Sequence, residues 1–184
     1  MNTMTDIHPE VKPFADAVDE YWAKGWESII PIKARDKAPI IQGFSGKKAS
    51  IPDYDTVKTW KIVFPGANIG LVLPDGIIGI DVDHYGEKRG ADTLKRLERE
   101  LGPLPPTWIS TSKESPSGIR LFSVPPGTRL RGKLGPGIDV IQSHHRHINV
   151  WPSIHPNGKQ YHWINPDGEV VEEVPRLDDF LPSS

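Results

Sequence analysis

Ile77-Ile-Gly-Ile-Asp-Val-Asp-His84 is an apolar, β-branched run that ends in two acids one residue apart. Such a run reads as a buried strand whose end carries a pair of charges. In a strand, residues i and i+2 point the same way and lie roughly 6.6 Å apart along the backbone. Asp81 and Asp83 therefore share a face, and their carboxylates can converge on one hard cation or two. Buried together without a cation, they would repel and one would protonate. A strand ending at a solvated Asp-rich turn accounts for the same residues equally well.

Outward from this run, Ala67 to Leu73 reads as a strand and Pro74-Asp-Gly76 as a tight turn, so that Ile77 to Asp83 is expected to return as the second arm of a hairpin. On the other side, Gly86 to Gly90 is a loop. Ala91, Leu94, Leu97 and Leu101 then line one face of a helix that stops at Gly102-Pro103. Upstream, Val11, Phe14, Ala15, Val18, Tyr21 and Trp22 have helical spacing and Gly25 ends the helix. Trp26 to Ile32 is a short strand closing at Pro31. Asp53 or Asp55 caps a helix that turns Val57, Trp60 and Phe64 inward. Downstream of Pro106 the pattern becomes Trp108–Thr111, Ile119–Val124, Gly137–Ile141, Ile148–Trp151 and Gln160–Trp163, all short strands between Pro/Gly/Ser clusters. From Asn165 the chain reads as loop, with a turn of helix near Leu177 to Leu181. A helix-containing first half and a strand-rich second half predict an α+β fold.

The 184 residues suit one domain or two intimately packed units. With 19 prolines and 17 glycines the chain has many turns and is not a helical bundle. There is no cysteine, which excludes disulfides, thiol catalysis and thiolate zinc sites. No apolar run approaches a membrane span and the polar N-terminus is unlike a signal peptide, so a cytoplasmic location is expected. The formal net charge is −2, yet residues 112–147 hold six Lys/Arg against Glu114 and Asp139. That local excess either faces phosphates or is solvated surface.

Gly137-Ile-Asp139-Val-Ile is a second apolar strand interrupted by one carboxylate. Two adjacent strand-borne acids and one remote one are what a two-metal phosphoryl-transfer site requires, with ions about 3.5–4 Å apart. Ser115-Pro-Ser-Gly-Ile-Arg120 lies between them. Its small residues leave backbone N–H groups and hydroxyls free for phosphate, and Arg120 offers a fork of donors; an ordinary hairpin turn with a cross-strand arginine fits too. Lys37, in the basic turn Lys33-Ala-Arg-Asp-Lys37, reaches a phosphate or is a solvated loop lysine. The loop Gly43 to Ala49 lacks P-loop spacing. His144, His145 and His147 crowd one segment, but consecutive histidines on a strand point to opposite faces and do not make a zinc set. His147 and His155 are hydrogen-bond donors to a nucleotide, or polar turn residues.

The ordered set is more specific than any member of it. Gly25-Trp26 with Pro31, Lys37-x-Pro39, Trp60 before Pro65-Gly-Ala-Asn-Ile-Gly70, Ile80-Asp-Val-Asp83, Pro116-Ser-Gly118, Gly137-Ile-Asp139 and Trp151-Pro-Ser-Ile-His155-Pro-x-Gly158-x-x-Tyr161-x-Trp163 resemble the N-terminal primase-polymerase domain of bifunctional replication proteins of phages and plasmids, in the archaeo-eukaryotic primase superfamily. The resemblance spans about residues 11–164. It implies a single domain over residues 1–184, in which an αβ unit (about 11–106) carrying Asp81 and Asp83 packs on an RNA-recognition-like, strand-rich unit (107–164) carrying Asp139. The active site is expected in the cleft between them, with 165–184 as a tail. It implies that Asp81, Asp83 and Asp139 bind two Mg²⁺ or Mn²⁺, that Ser117 and Gly118 begin the motif that holds the nucleotide's phosphates, and that Ser153 and His155 lie at a nucleotide-proximal turn. Relatives usually show Ser-Gly-Gly-x-His where this chain has Ser117-Gly-Ile-Arg120, one residue shorter.

The expected function is a template-dependent nucleotidyltransferase, a DNA primase or polymerase acting in replication of a phage or mobile element. Nucleoside triphosphates are its substrates, single-stranded DNA its template, and a fused or separate replicative helicase its partner. Arg120 in place of histidine leaves open a nucleotide- or single-stranded-DNA-binding module without turnover, and the acids leave open a metal-dependent nuclease.

Overall fold

The computed structural model describes residues 11–181. Most of the polar N-terminal stretch that reads as unlike a leader falls in residues 1–10, outside that range. In chain order the elements are α1 (Pro13–Ala23), β1 (Ile29–Ile32), α2 (Tyr54–Val63), β2 (Asn68–Leu71), β3 (Ile77–Val82), α3 (Gly90–Leu101) and β4 (Ile109–Thr111). They continue with β5 (Gly118–Ser123), β6 (Lys133–Gly135), β7 (Ile138–Ile141), β8 (Ile148–Asn149), β9 (His162–Ile164), β10 (Val170–Val171) and a 3₁₀ turn at Leu177–Asp179. The fold mixes three helices with two sheets, consistent with the expected α+β class.

α1 starts at a proline, whose missing N–H is no loss in a first turn, and buries Phe14, Ala17, Val18 and Tyr21. Ala15, expected inside, is half-buried, and Val11 is exposed ahead of the helix. Asp53, not Asp55, caps α2 by accepting the Thr56 N–H at 2.8 Å. Asn68, Trp26 and Tyr21 show how the buried polar groups are satisfied. The Tyr21 hydroxyl donates to the Trp151 carbonyl at 2.6 Å and accepts the Trp163 indole N–H at 2.8 Å, and burial pushes its pKa well up. The tail closes on the same side, where the Trp26 indole donates to the Pro175 carbonyl and Lys24 to that of Val174.

The strands form a three-stranded sheet, β1-β2-β8, and a seven-stranded one, β10-β9-β4-β5-β3-β7-β6; every pairing is antiparallel. The hairpin expected around Pro74-Asp-Gly76 does not form. β2 uses its two edges on β1 and β8, and β3 uses both of its edges on β5 and β7, so this turn carries the chain from one sheet to the other. A six-residue strand buried along most of its length must satisfy backbone donors on both edges, and only partners from later in the chain do so. For the same reason a boundary near residue 106 does not divide the sheets: β3 lies in the larger one, and β8 completes the smaller.

One core joins both sheets and α1, with Ile29, Ile69, Leu71, Ile148, Leu121 and Trp163 among its fully buried members. A second, smaller core covers the opposite face of β3 and β7, where Leu94 and Leu97 of α3 pack on Ile78, Ile80, Val82, Ile138 and Val140. α3 docks through its first turns, Gly90 and Thr93 being its buried residues. Leu101, expected on the inner face, is therefore left 81% exposed. β6 and β10 were not foreseen; both are short and largely exposed, without an alternating apolar signal.

Candidate active site

Asp81 and Asp139 are direct cross-strand partners on β3 and β7, and direct partners project from the same face. Asp83 follows with the same parity, and one carboxylate oxygen from each of the three acids lies within 4.8 Å of the others. A close approach of backbone holds the third acid there. Asp83 donates its N–H to the Gly137 carbonyl at 2.8 Å and accepts that of Gly90 at 2.9 Å. A Cβ on Gly90 would sit 2.5 Å from the Asp83 oxygen, and one on Gly137, where φ is +77°, 2.5 Å from the Gly90 nitrogen. Only glycines let α3 start against the head of β7.

The donors are all carboxylate oxygens, the set that hard divalent ions such as Mg²⁺ or Mn²⁺ prefer. Burial, and then the neighbouring Asp83, raise the Asp81 pKa despite Arg146, with Asp139 adding to the rise. Three like charges thus meet where their own repulsion is incompletely offset, and a cation fits. Protein cations partly fill that role: Arg146 Nη2 lies 2.7 Å from Asp81 and Lys88 Nζ 3.2 Å from Asp83.

The acids form one wall of a cavity of about 360 Å³ whose other walls carry Lys37, Lys113, Arg146 and Tyr161. Lys113 rests its ammonium 4.4 Å above the Tyr85 ring, and Lys88 lies 5.0 Å from the same ring. Burial lowers the Lys113 pKa, and the nearby Lys37 lowers it further. His155 Nδ1 accepts the Asn157 N–H at 3.1 Å, so a neutral ring presents Nε2–H toward Lys113 Nζ, 3.3 Å away. With that tautomer two donors meet there and, among the described residues, no acceptor lies between them, a place an anionic oxygen would satisfy. Burial pushes the Tyr161 hydroxyl up to about 12, which keeps it a neutral donor.

Of the residues singled out from sequence, Asp81, Asp83, Asp139, Lys37, Ser117, Gly118 and His147 line this cavity and Arg120, Ser153 and His155 do not. Arg120 pairs across from Ile80 and Ile109, on the face opposite the acids. Its guanidinium donates to the Pro116 carbonyl at 3.0 Å, and its burial lowers its pKa. Expected at the phosphates, Arg120 lies instead on the face away from the acids, because a one-residue shift in a strand turns a side chain to the other face. Ser153 is fully buried, its hydroxyl accepting the Ile69 N–H at 2.8 Å and donating to the Ile69 carbonyl at 3.0 Å, so it ties β2 to the 150s turn and does not line the cavity. The Ser117 hydroxyl is likewise taken, bridging the N–H and carbonyl of His84 at 3.0 and 3.2 Å. That contact fastens the loop to the end of β3. His147 is not a free donor either. Its Nε2–H donates to the Lys37 carbonyl at 2.9 Å, leaving Nδ1 to accept from the Ser45 hydroxyl at 3.1 Å. It positions the Lys37 loop, and burial lowers its pKa.

Sequence reading did not assign Tyr85, Lys88, Lys113, Arg146 or Tyr161 to the site. Lys113 and Arg146 belong to the basic run of residues 112–147, and the run was the signal; which of its members face the acids depends on strand pairing.

Fold and cavity together define an α+β protein with a candidate divalent-metal centre facing a cationic wall. The chain belongs to the Prim-Pol family, the N-terminal domain of bifunctional DNA primase/polymerases, whose pattern matches residues 18–177. No curated protein matches it. Membership implies DNA primase/polymerase activity, with a DNA template and nucleotide substrates. Among the described residues no helix is long and apolar enough to cross a membrane.

Proposed function

We propose that the chain is a template-dependent nucleotidyltransferase that starts or extends DNA strands from nucleoside triphosphates, with two Mg²⁺ or Mn²⁺ ions held by Asp81, Asp83 and Asp139. The observation that carries this reading is the convergence of the three acids in a cavity whose lining also holds Lys37, Lys88, Lys113 and Arg146. When bound, the chemistry two such ions supply is activation of a 3′-hydroxyl and neutralisation of the leaving pyrophosphate. Lys113 and Lys37, which line the cavity, hold the triphosphate, with His155 beside Lys113 as a further donor at its rim. Gly118, at φ +147°, is needed for packing, since a Cβ there would lie 2.8 Å from Ile109 and 3.0 Å from Thr111, and it lines the cavity beside Lys113. Tyr161 contributes a neutral hydroxyl. The setting is replication of a phage or mobile element, with single-stranded DNA as template and a fused or separate helicase to expose it. Arg120 lies on the far face of the sheet from the acids, which favours this reading over a binding module without turnover.

The test is incubation with a primed template, a bare single strand, labelled nucleotides and Mn²⁺. Products that form with the wild type and vanish with Asp81→Ala/Asp83→Ala are expected. Equal products from both, or none from either, would overturn the reading, and degradation of a labelled strand without nucleotides would replace it by a nuclease.

A further inference from the structure

Beyond the acids the large sheet ends in a cationic edge. The row that pairs Asp81 with Asp139 continues to Lys133 on β6, the last strand of the sheet, and direct partners share a face. Arg129, Arg131 and Lys133 are exposed. Among the described residues none of the three is in an ion pair. Asp75, which shares a cavity wall with Arg129, is bonded to the Gly127 N–H at 3.0 Å. Residues 115–166 contain one acid, Asp139 itself, against Arg120, Arg129, Arg131, Lys133, Arg146 and Lys159.

The segment His144-His145-Arg146 packs beside this edge. His145 Nδ1 bonds the Val140 carbonyl at 3.0 Å, the Val140 N–H donates to the Gly132 carbonyl at 3.0 Å, and a Cβ on Gly132 would lie 3.6 Å from the His145 ring. The His144 and His145 rings lie 4.3 Å apart, and Arg146 leads back to Asp81. Exposed cations on and just before an edge strand, with flat rings at the surface beside them, suit a polyanion whose bases are free to stack, which a single strand offers and a duplex does not.

We infer that the β6 edge and His144-His145-Arg146 form the docking strip for single-stranded DNA, leading it onto the carboxylate site. This rests on the proposed polymerase reading, as it names where that reaction's template lies. The test is fluorescence anisotropy of a labelled single-stranded oligonucleotide, without metal or nucleotide, against wild type, Arg131→Gln/Lys133→Gln and the charge-matched control Lys95→Gln/Arg99→Gln on α3. The first variant is expected to bind on the order of ten-fold more weakly and to lose about 1.4 from the slope of log K against log salt, two phosphate contacts' worth. The control should match wild type. Unchanged affinity and slope in the first variant, an equal loss in the control, no binding by wild type, or tighter binding of a duplex of equal length would overturn it. Because binding is read without turnover, strip and polymerase reading fail separately: a wild type that incorporates nucleotides beside an Arg131/Lys133 variant that binds normally sinks only the strip.

Discussion

The two faces of the seven-stranded sheet are built from the same strands and do opposite things. On one face Asp81, Asp139 and Ile119 border the cavity; on the other Ile80, Val82, Val140 and Arg120 lie on the side covered by α3. Ile119 and Arg120 are adjacent in sequence and separated by the thickness of the sheet. Whether a charged side chain can take part in the chemistry is thus decided by strand parity, and nearness in sequence to a motif decides nothing.

The largest effect expected from breaking this contrast is on the acid face. Asp139→Asn keeps the shape of the side chain and removes one of three converging charges. Nucleotide incorporation should fall about 10²–10³-fold, the range seen when one preorganised electrostatic group is lost. The denaturation midpoint should hold or rise, because like-charge repulsion is relieved. Incorporation within a few fold of wild type, measured on a primed template, would mean that Asp139 is not part of the centre. On the other face the expectation reverses. Arg120→Met removes the donor to the Pro116 carbonyl, 3.0 Å away in the wild type, and should cost about 1–3 kcal/mol of stability through an unpartnered acceptor. Nucleotide affinity, followed by calorimetry, should change less than two-fold. A loss of affinity without a loss of stability would put Arg120 back among the phosphate ligands.

The acid pair, the third acid and the α+β class were legible because each rests on a short-range pattern: alternation, apolar runs and small breakers. The partners of β3 were not. Pairing Ile77–Val82 with Ile138–Ile141 and Gly118–Ser123 is a long-range choice, and the nearest candidate partner, Ala67 to Leu73, was the wrong one because it belongs to the smaller sheet. The same gap hides how the polar residues are held. Ser117, Ser153 and His147 are the right residue types for phosphate contact, but each is hydrogen-bonded to a backbone group 33–110 positions away, which no local pattern records. Lys113 and Arg146 erred the other way, as members of a charge run whose orientation only the fold supplies.

The smallest expected effect is the most diagnostic of how the acid face works. Arg146 sits 2.7 Å from Asp81 with 48% of its own side chain exposed and 12% of its partner's. A pair this open contributes about 1 kcal/mol or less, which is no more than about five-fold in a binding constant. Its guanidinium and a divalent ion compete for the same carboxylate, so Arg146→Gln should tighten Mn²⁺ binding by about two- to five-fold. The arginine freed from Asp81 faces the cavity beside Lys37 and Lys113, where it can meet a triphosphate. The same variant should therefore weaken nucleotide binding at saturating Mn²⁺ by a similar factor. Calorimetry with Mn²⁺ alone and then with nucleotide separates the two signs. If both ligands bind more weakly, Arg146 is a scaffold that holds Asp81 in place; if neither changes, the ion pair has no part in ligand exchange, and the cationic wall acts through its lysines alone.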